Sequence, residues 1–105
     1  MDKAKHDRLA AAGWRSGDAA DFLELTEEEA AFVELKLALA EYLRELRMNN
    51  SWTQAQVARR LGSSQSRVAK MEAADPSVSL DLLVKSLLAL GASRGEVGSV
   101  IARAA

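Results

Sequence analysis

The chain has 105 residues, 49% of them hydrophobic and 28% charged, with a net charge of −1. That length suffices for one compact domain and is too short for two of ordinary size. Cysteine is absent, which excludes a disulfide framework and a thiolate metal site. Because the mixed-charge N-terminus does not resemble a signal peptide and no apolar run has membrane-spanning length, we expect a cytoplasmic protein without a membrane segment.

The two signs of charge are separated along the chain. Residues 16–35 contain acids and no base, whereas residues 47–71 contain bases and no acid. The acids are Asp18, Asp21, Glu24, Glu27, Glu28, Glu29 and Glu34, and the bases are Arg47, Arg59, Arg60, Arg67 and Lys70. The basic segment therefore suits a polyanion such as DNA, and the acidic one would suit a basic partner.

The first 25 residues have weak periodicity, and Gly13 and Gly17 interrupt them. Their apolar residues are scattered: Trp14, Phe22, Leu23 and Leu25. We interpret residues 1–25 as an N-terminal arm.

A long helix is predicted from Thr26, because Thr26 and Glu29 have the spacing of a capping box and acids fill the first turn. It should end near residues 49–50. A line of apolar residues follows at helical spacing: Phe32, Leu35, Leu39, Leu43 and Leu46. A second line comprises Val33, Leu37 and Ala40. Two apolar faces need cover on both sides, which the arm, a second subunit or another protein could supply.

Four shorter helices follow, each with clear start and stop signals. Thr53 and Gln56 form a second capping box, Gly62 is expected at positive φ, and Ser64 caps the next helix. Asp75-Pro76 should stop that helix, and a fourth helix should run from Ser79 to Leu90, with a short last helix from a capping box at Ser93 and Glu96. No strand is predicted, so the fold class is all-α, a five-helix bundle with a long first helix.

The second and third helices are too short to fold alone, and their apolar positions indicate how they pack. Val57, Ala58 and Leu61 should face inward on one, and Val68 and Met71 on the other. The outward face of the third helix then carries an amide, a hydroxyl, a methyl group and a base, from Gln65, Ser66, Ala69 and Lys70, with Arg67 beside them. Such a set suits the edges of base pairs in the major groove.

Residues 53–74, TQAQVARRLGSSQSRVAKMEAA, resemble the helix-turn-helix of the phage-repressor (Cro/C1, or XRE) family. The small Ala58, the turn glycine and the later apolar positions all stand at the family's spacing, and the resemblance extends through residue 90. It implies a bundle of the phage-repressor type, with a DNA-binding domain over residues 26–105 behind the arm. Trp52 and Ala74 depart from the family, which often has leucine and glycine there.

The resemblance also implies roles for individual residues. Gln54 would bond a phosphate and brace the next helix, and Gln65 and Ser66 would meet base edges. Lys70 would reach bases or backbone, and Arg67 a phosphate or a neighbouring acid. Ser64, the cap of the recognition helix, and Ala69 complete the predicted DNA-binding set. One recognition helix reads few base pairs, so a homodimer on a palindromic operator is expected.

A looser resemblance links residues 13–47 to the leader of HigA-like antitoxins, which place an acidic, partner-binding segment before such a domain. Three functions remain open: a stand-alone repressor of double-stranded DNA, an antitoxin that also binds a basic toxin, and an interaction protein that has lost DNA binding. The intact set of Gln54, Gln65 and Ser66 argues against the third. No catalytic, metal-binding or cofactor-binding constellation is found, so an enzyme is not expected.

Overall fold

The computed structural model describes residues 26–104, which form five α-helices and no strand. The helices are α1 (Glu27–Asn49), α2 (Gln54–Leu61), α3 (Gln65–Glu72), α4 (Leu80–Ala89) and α5 (Arg94–Ala104). The predicted all-α class is confirmed. The arm over residues 1–25, with Trp14 and Phe22, lies outside the described residues. Of the helices that are described, none has the length and apolar character needed to cross a membrane.

Helix α1 starts with the predicted capping box. The backbone N–H of Glu29 donates to Thr26 Oγ1 at 3.0 Å, and that of Thr26 donates to Glu29 Oε1 at 2.9 Å. Residues 34–104 belong to one compact unit, and residues 26–33 to another. Burial on α1 is confined to Leu39, Ala40 and Leu43.

On the first apolar line of α1, Leu39 and Leu43 are buried, whereas Phe32 is 49% exposed. On the second apolar line, Val33 and Leu37 are also exposed, and only Ala40 is buried. Helical periodicity identifies the side chains that share a face, but it does not determine how much of that face another element covers.

Helices α2 and α3 pack against each other as the apolar pattern predicted. Val57, Ala58, Val68 and Met71 are all buried, and Ala58 provides the small side chain that lets the helices approach. Between the helices, Gly62 adopts φ 65°, a left-handed conformation that glycine takes without the steric cost of a Cβ. This turn sets the angle at which α3 leaves α2.

The remaining helices complete the core of residues 34–104. Leu83 and Leu87 of α4 and Val97 and Val100 of α5 are buried. Buried Ser86 donates a weak hydrogen bond to Met71 Sδ at 3.6 Å, which satisfies its hydroxyl and ties α4 to α3. Helix α4 ends at Ala89, one residue before the predicted end. The core thus packs against the side of α3 that carries Val68 and Met71, and the opposite side of the helix is exposed.

Candidate nucleic-acid interface

Helix α3 is capped by Ser64, and the residues of its first turn are exposed. The backbone N–H of Arg67 donates to Ser64 Oγ at 3.1 Å, which uses the oxygen of this hydroxyl as an acceptor and leaves its proton free to be donated. Gln65, Ser66, Arg67 and Lys70 are exposed, and Ala69 is half-buried. The outward face of α3 therefore carries an amide, two hydroxyls and two cations within two turns.

Several of these side chains line one shallow groove. Ser64, Ser66, Arg67 and Lys70 form one wall, and Ser77 and Val78 of the loop after α3 form the other. The loop is held by Asp75, whose carboxylate accepts from the backbone N–H and hydroxyl of Ser77 at 2.9 and 2.5 Å. Ser77 and Val78 are not among the residues predicted to bind DNA, although the Asp-Pro-Ser turn signal places them directly after α3.

The pKa of Asp75 is lowered from its ordinary value, above all by the hydrogen bonds from Ser77, with smaller contributions from the charges of Lys70 and Lys36. The carboxylate therefore stays ionised and keeps the loop folded beside α3. It also places one negative charge near Lys70.

Gln54 is held by a carboxylate at the far end of α3. Its Nε2 donates to Glu72 Oε1 at 3.2 Å, so the amide braces α2 against α3 through the last residue of α3. For the second N–H of the same amide group, residues 26–104 provide no further hydrogen-bond acceptor. Gln54 is half-buried, whereas Gln65 is exposed at the opposite end of α3.

Glu72 is nearly buried and is the acceptor of a three-residue network. Arg47 donates to it through Nε at 2.6 Å and Nη2 at 3.1 Å, and Arg47 Nη1 also donates to the carbonyl oxygen of Trp52 at 3.2 Å. Hydrogen bonding to Glu72 raises the pKa of Arg47 above its ordinary value, against the opposing effect of burial. Arg47 is therefore paired with Glu72, and it is not among the exposed cations of the basic segment.

Sequence reasoning missed Glu72 and its partner, although a signal was present. Glu72 follows the buried Met71 and lies four residues after the buried Val68, so its position on the helix points toward the core. A carboxylate there requires a cationic or hydrogen-bonding partner. The partner lies 25 residues away, and the local pattern does not identify it.

The basic segment keeps four exposed cations: Arg59, Arg60, Arg67 and Lys70. Arg60 lies over the ring of Trp52, with its Cζ 4.2 Å from the ring centroid. Within residues 26–104, no group of three or more His, Asp or Glu side chains is placed to hold a metal ion. The surface around the exposed face of α3 therefore carries positive charge and hydrogen-bond donors, and both are suited to contacts with a polyanion.

A family model described as "Helix-turn-helix domain" matches residues 38–99, more than half of the chain. The chain belongs to this helix-turn-helix family. The resemblance to XRE/Cro-like proteins is thereby confirmed, and this member is a DNA-binding regulator. The match begins at residue 38 and does not extend to the leader, so it does not confirm the HigA-like resemblance. Searches of curated proteins and of solved structures gave no match.

Proposed function

We propose that this helix-turn-helix protein is a sequence-specific repressor that binds a palindromic operator as a homodimer. The observation that carries the proposal is the exposed polar face of α3, which projects from a buried crossing with α2. Gln65 and Ser66 would read base edges, and Lys70 would reach bases or backbone. Gln54, Ser64 and Arg67 would hold phosphates, and the Ala69 methyl would lie against the bases.

The proposal includes the domain organisation and the setting of the protein. Residues 26–105 form the DNA-binding domain, with its helix-turn-helix over residues 53–74, and residues 1–25 form an arm. We expect the protein in the cytoplasm, where its operator would be, and we expect no catalytic activity and no cofactor.

Selection of duplexes from a random pool with the full-length chain tests this function. Repeated rounds should enrich a palindrome whose half-site centres are about 10 base pairs, or a multiple of that, apart. A double variant, Gln65→Ala with Ser66→Ala, serves as the matched control, because both side chains are exposed and their removal should spare the fold. Enrichment of no sequence by the wild-type chain would contradict sequence-specific binding, and enrichment of a single asymmetric site would contradict the homodimer.

A second candidate, an antitoxin that represses its own operon and binds a basic toxin, is favoured by one observation on residues 26–33. Phe32 and Val33 are large, apolar and exposed, and they follow the exposed acids Glu27, Glu28 and Glu29. An apolar contact beside a negative charge is suited to a basic protein partner, which the acids would steer toward it.

Co-expression with a basic protein encoded beside this gene discriminates between the two candidates. If the protein is an antitoxin, Phe32→Asp should abolish co-purification of the basic protein and neutralisation of its toxicity, while operator binding persists. Deletion of residues 1–25 should likewise leave operator binding intact and remove toxin binding. If no neighbouring protein co-purifies with the full-length chain, the plain repressor is the better account.

A further inference from the structure

Trp52 and Arg60 form a stacked pair at the outer side of α2. Trp52 lies in the turn before α2 and is half-buried, packed against the core. Arg60 lies in the last turn of α2 and is exposed, yet its guanidinium lies 4.2 Å from the centroid of the Trp52 ring. Because helical side chains lean toward the N-terminus, the charge of Arg60 is carried back toward the end of α2 that bears Gln54.

Stacking fixes the guanidinium without using its hydrogen-bond donors. The Arg60 Cζ lies over the ring, and no hydrogen bond or ion pair within residues 26–104 uses the guanidinium, so its five N–H donors remain available to a ligand. A guanidinium held in this way is prepared to bind two oxygens of one phosphate with little further loss of side-chain freedom. A leucine, which the resembling family often has at this position, would provide packing and no such support.

The charge of Arg60 is not neutralised by any described neighbour. Within residues 26–104, the ion pairs are Arg47–Glu72 and Lys85–Asp81, and α2 contains no acid. Arg59 and Gln56 line a shallow groove together with Trp52 and Arg60. The groove therefore offers two cations and the NH2 group of Gln56, whose amide oxygen already accepts from the Thr53 N–H at 2.8 Å, a set suited to phosphate oxygens.

We propose that Arg60, held on the Trp52 ring, contacts a phosphate of the DNA backbone beside the one held by Gln54, with Arg59 as a second cation. The inference rests on the proposed function, because it is DNA on α3 that brings the backbone alongside α2. Each strand presents a phosphate about every 3.4 Å along the helix axis. A cation directed toward the N-terminal end of α2 would therefore meet a phosphate that neighbours the one held by Gln54 on the same strand. This contact adds affinity and carries no sequence information.

The test compares the wild type and variants of the full-length chain on the selected operator and on a random duplex, across a range of salt concentrations. Arg60→Gln should weaken binding to both duplexes by about 3- to 10-fold and lower the slope of log affinity against log salt by about one. Arg94→Gln makes the same charge change outside the motif and should alter the slope much less. Trp52→Leu should reproduce part of the Arg60→Gln loss, and in the Arg60→Gln background it should add nothing.

Arg60→Lys covers the case in which Trp52→Leu disturbs the core. It keeps the charge and loses the planar fork, so its affinity should lie between those of the wild type and Arg60→Gln. If Arg60→Gln binds as Arg94→Gln does while Gln65→Ala still loses the operator, Arg60 makes no phosphate contact and the proposed function stands. If Arg60→Lys equals the wild type and a folded Trp52→Leu does too, the stacking has no role. A wild-type chain that binds neither duplex overturns the proposed function and this inference with it.

Discussion

Arg47 and Glu72 join the last turn of α1 to the last residue of α3, with Arg47 Nε 2.6 Å from Glu72 Oε2. Their side chains are 17% and 6% exposed, respectively, so water screens the pair only weakly. Gln54 donates to the same carboxylate at 3.2 Å. One acidic group thus fixes α3 relative to both α1 and α2, and the orientation of the recognition helix depends on it.

The first prediction concerns this pair. Arg47→Met should lower the free energy of unfolding by about 3 kcal/mol, because it leaves the Glu72 carboxylate nearly buried without its cation. The double variant Arg47→Met with Glu72→Met should recover most of that loss, since two apolar side chains carry no uncompensated charge. Urea unfolding measures both.

Lys85→Met is the control for the first prediction. It breaks the pair with Asp81, whose side chains are 75% and 77% exposed, and such solvated pairs contribute little. An Arg47→Met loss no larger than that of Lys85→Met would show that the Arg47–Glu72 pair does not secure α3.

The second prediction concerns base recognition by Gln65, which is exposed at the start of α3. Gln65→Ala should lose about 1–3 kcal/mol of binding free energy on the operator and much less on a random duplex. The reason is that the amide hydrogen-bonds to the edge of a particular base, and a random duplex does not present that base at the same place. Equal losses on the two duplexes would mean that Gln65 only positions the protein. Equilibrium titration of both duplexes at one salt concentration provides the comparison.

The third prediction concerns Ala74, which adopts φ 53° directly after α3. The N–H of Asp75 donates to the Lys70 carbonyl across this residue at 3.0 Å, in the arrangement that usually ends a helix with glycine. Ala74→Gly should raise the free energy of unfolding by about 0.5–1 kcal/mol, because relief of the left-handed strain exceeds the extra chain entropy of glycine.

Ala73→Gly provides the matched control at the adjacent position, where φ is −88°. Glycine gains nothing there and should lower the stability by about 0.5–1 kcal/mol. The midpoint temperatures of thermal unfolding of the two variants should therefore shift in opposite directions from that of the wild type. If both shift downward, the αL conformation at Ala74 is not strained.

The fourth prediction concerns Asp75 and the loop beside the recognition helix. Because the folded-state pKa of Asp75 is lowered, the ionised carboxylate stabilises the fold. That contribution is complete above the unfolded-state pKa of about 4 and is lost as the pH falls through the folded-state value. Asp75→Asn should therefore flatten the decline in stability below about pH 4 and lower the stability at neutral pH.

Ser77→Ala removes one of the two donors to Asp75. It should therefore also flatten the decline in stability below about pH 4, by a smaller amount than Asp75→Asn does. Urea unfolding measured from pH 7 down to pH 3 follows both variants. An acid response in Asp75→Asn identical to that of the wild type would show that other carboxylates account for the decline.

The sequence by itself determined the five helices, most of their ends and the helix-turn-helix. Capping boxes such as Thr53 with Gln56 join residues three positions apart, and the turn at Gly62 depends on one residue's backbone freedom, so both can be recognised locally. The inward positions of Val57, Ala58, Val68 and Met71 follow from the helical period. The exposed face of α3 is the complement of that pattern, which is why its polar residues could be named before the structure.

Only the tertiary structure decided which side chains meet across the chain. The pairing of Arg47 with Glu72 spans 25 residues, and the stacking of Arg60 on Trp52 requires the turn before α2 to be folded. Likewise, the exposure of Phe32 depends on how much of α1 other elements cover. Each of these outcomes is set by packing between elements. Residue type and helical period do not determine such packing, because many distant residues could be the partner of a side chain in the same local pattern.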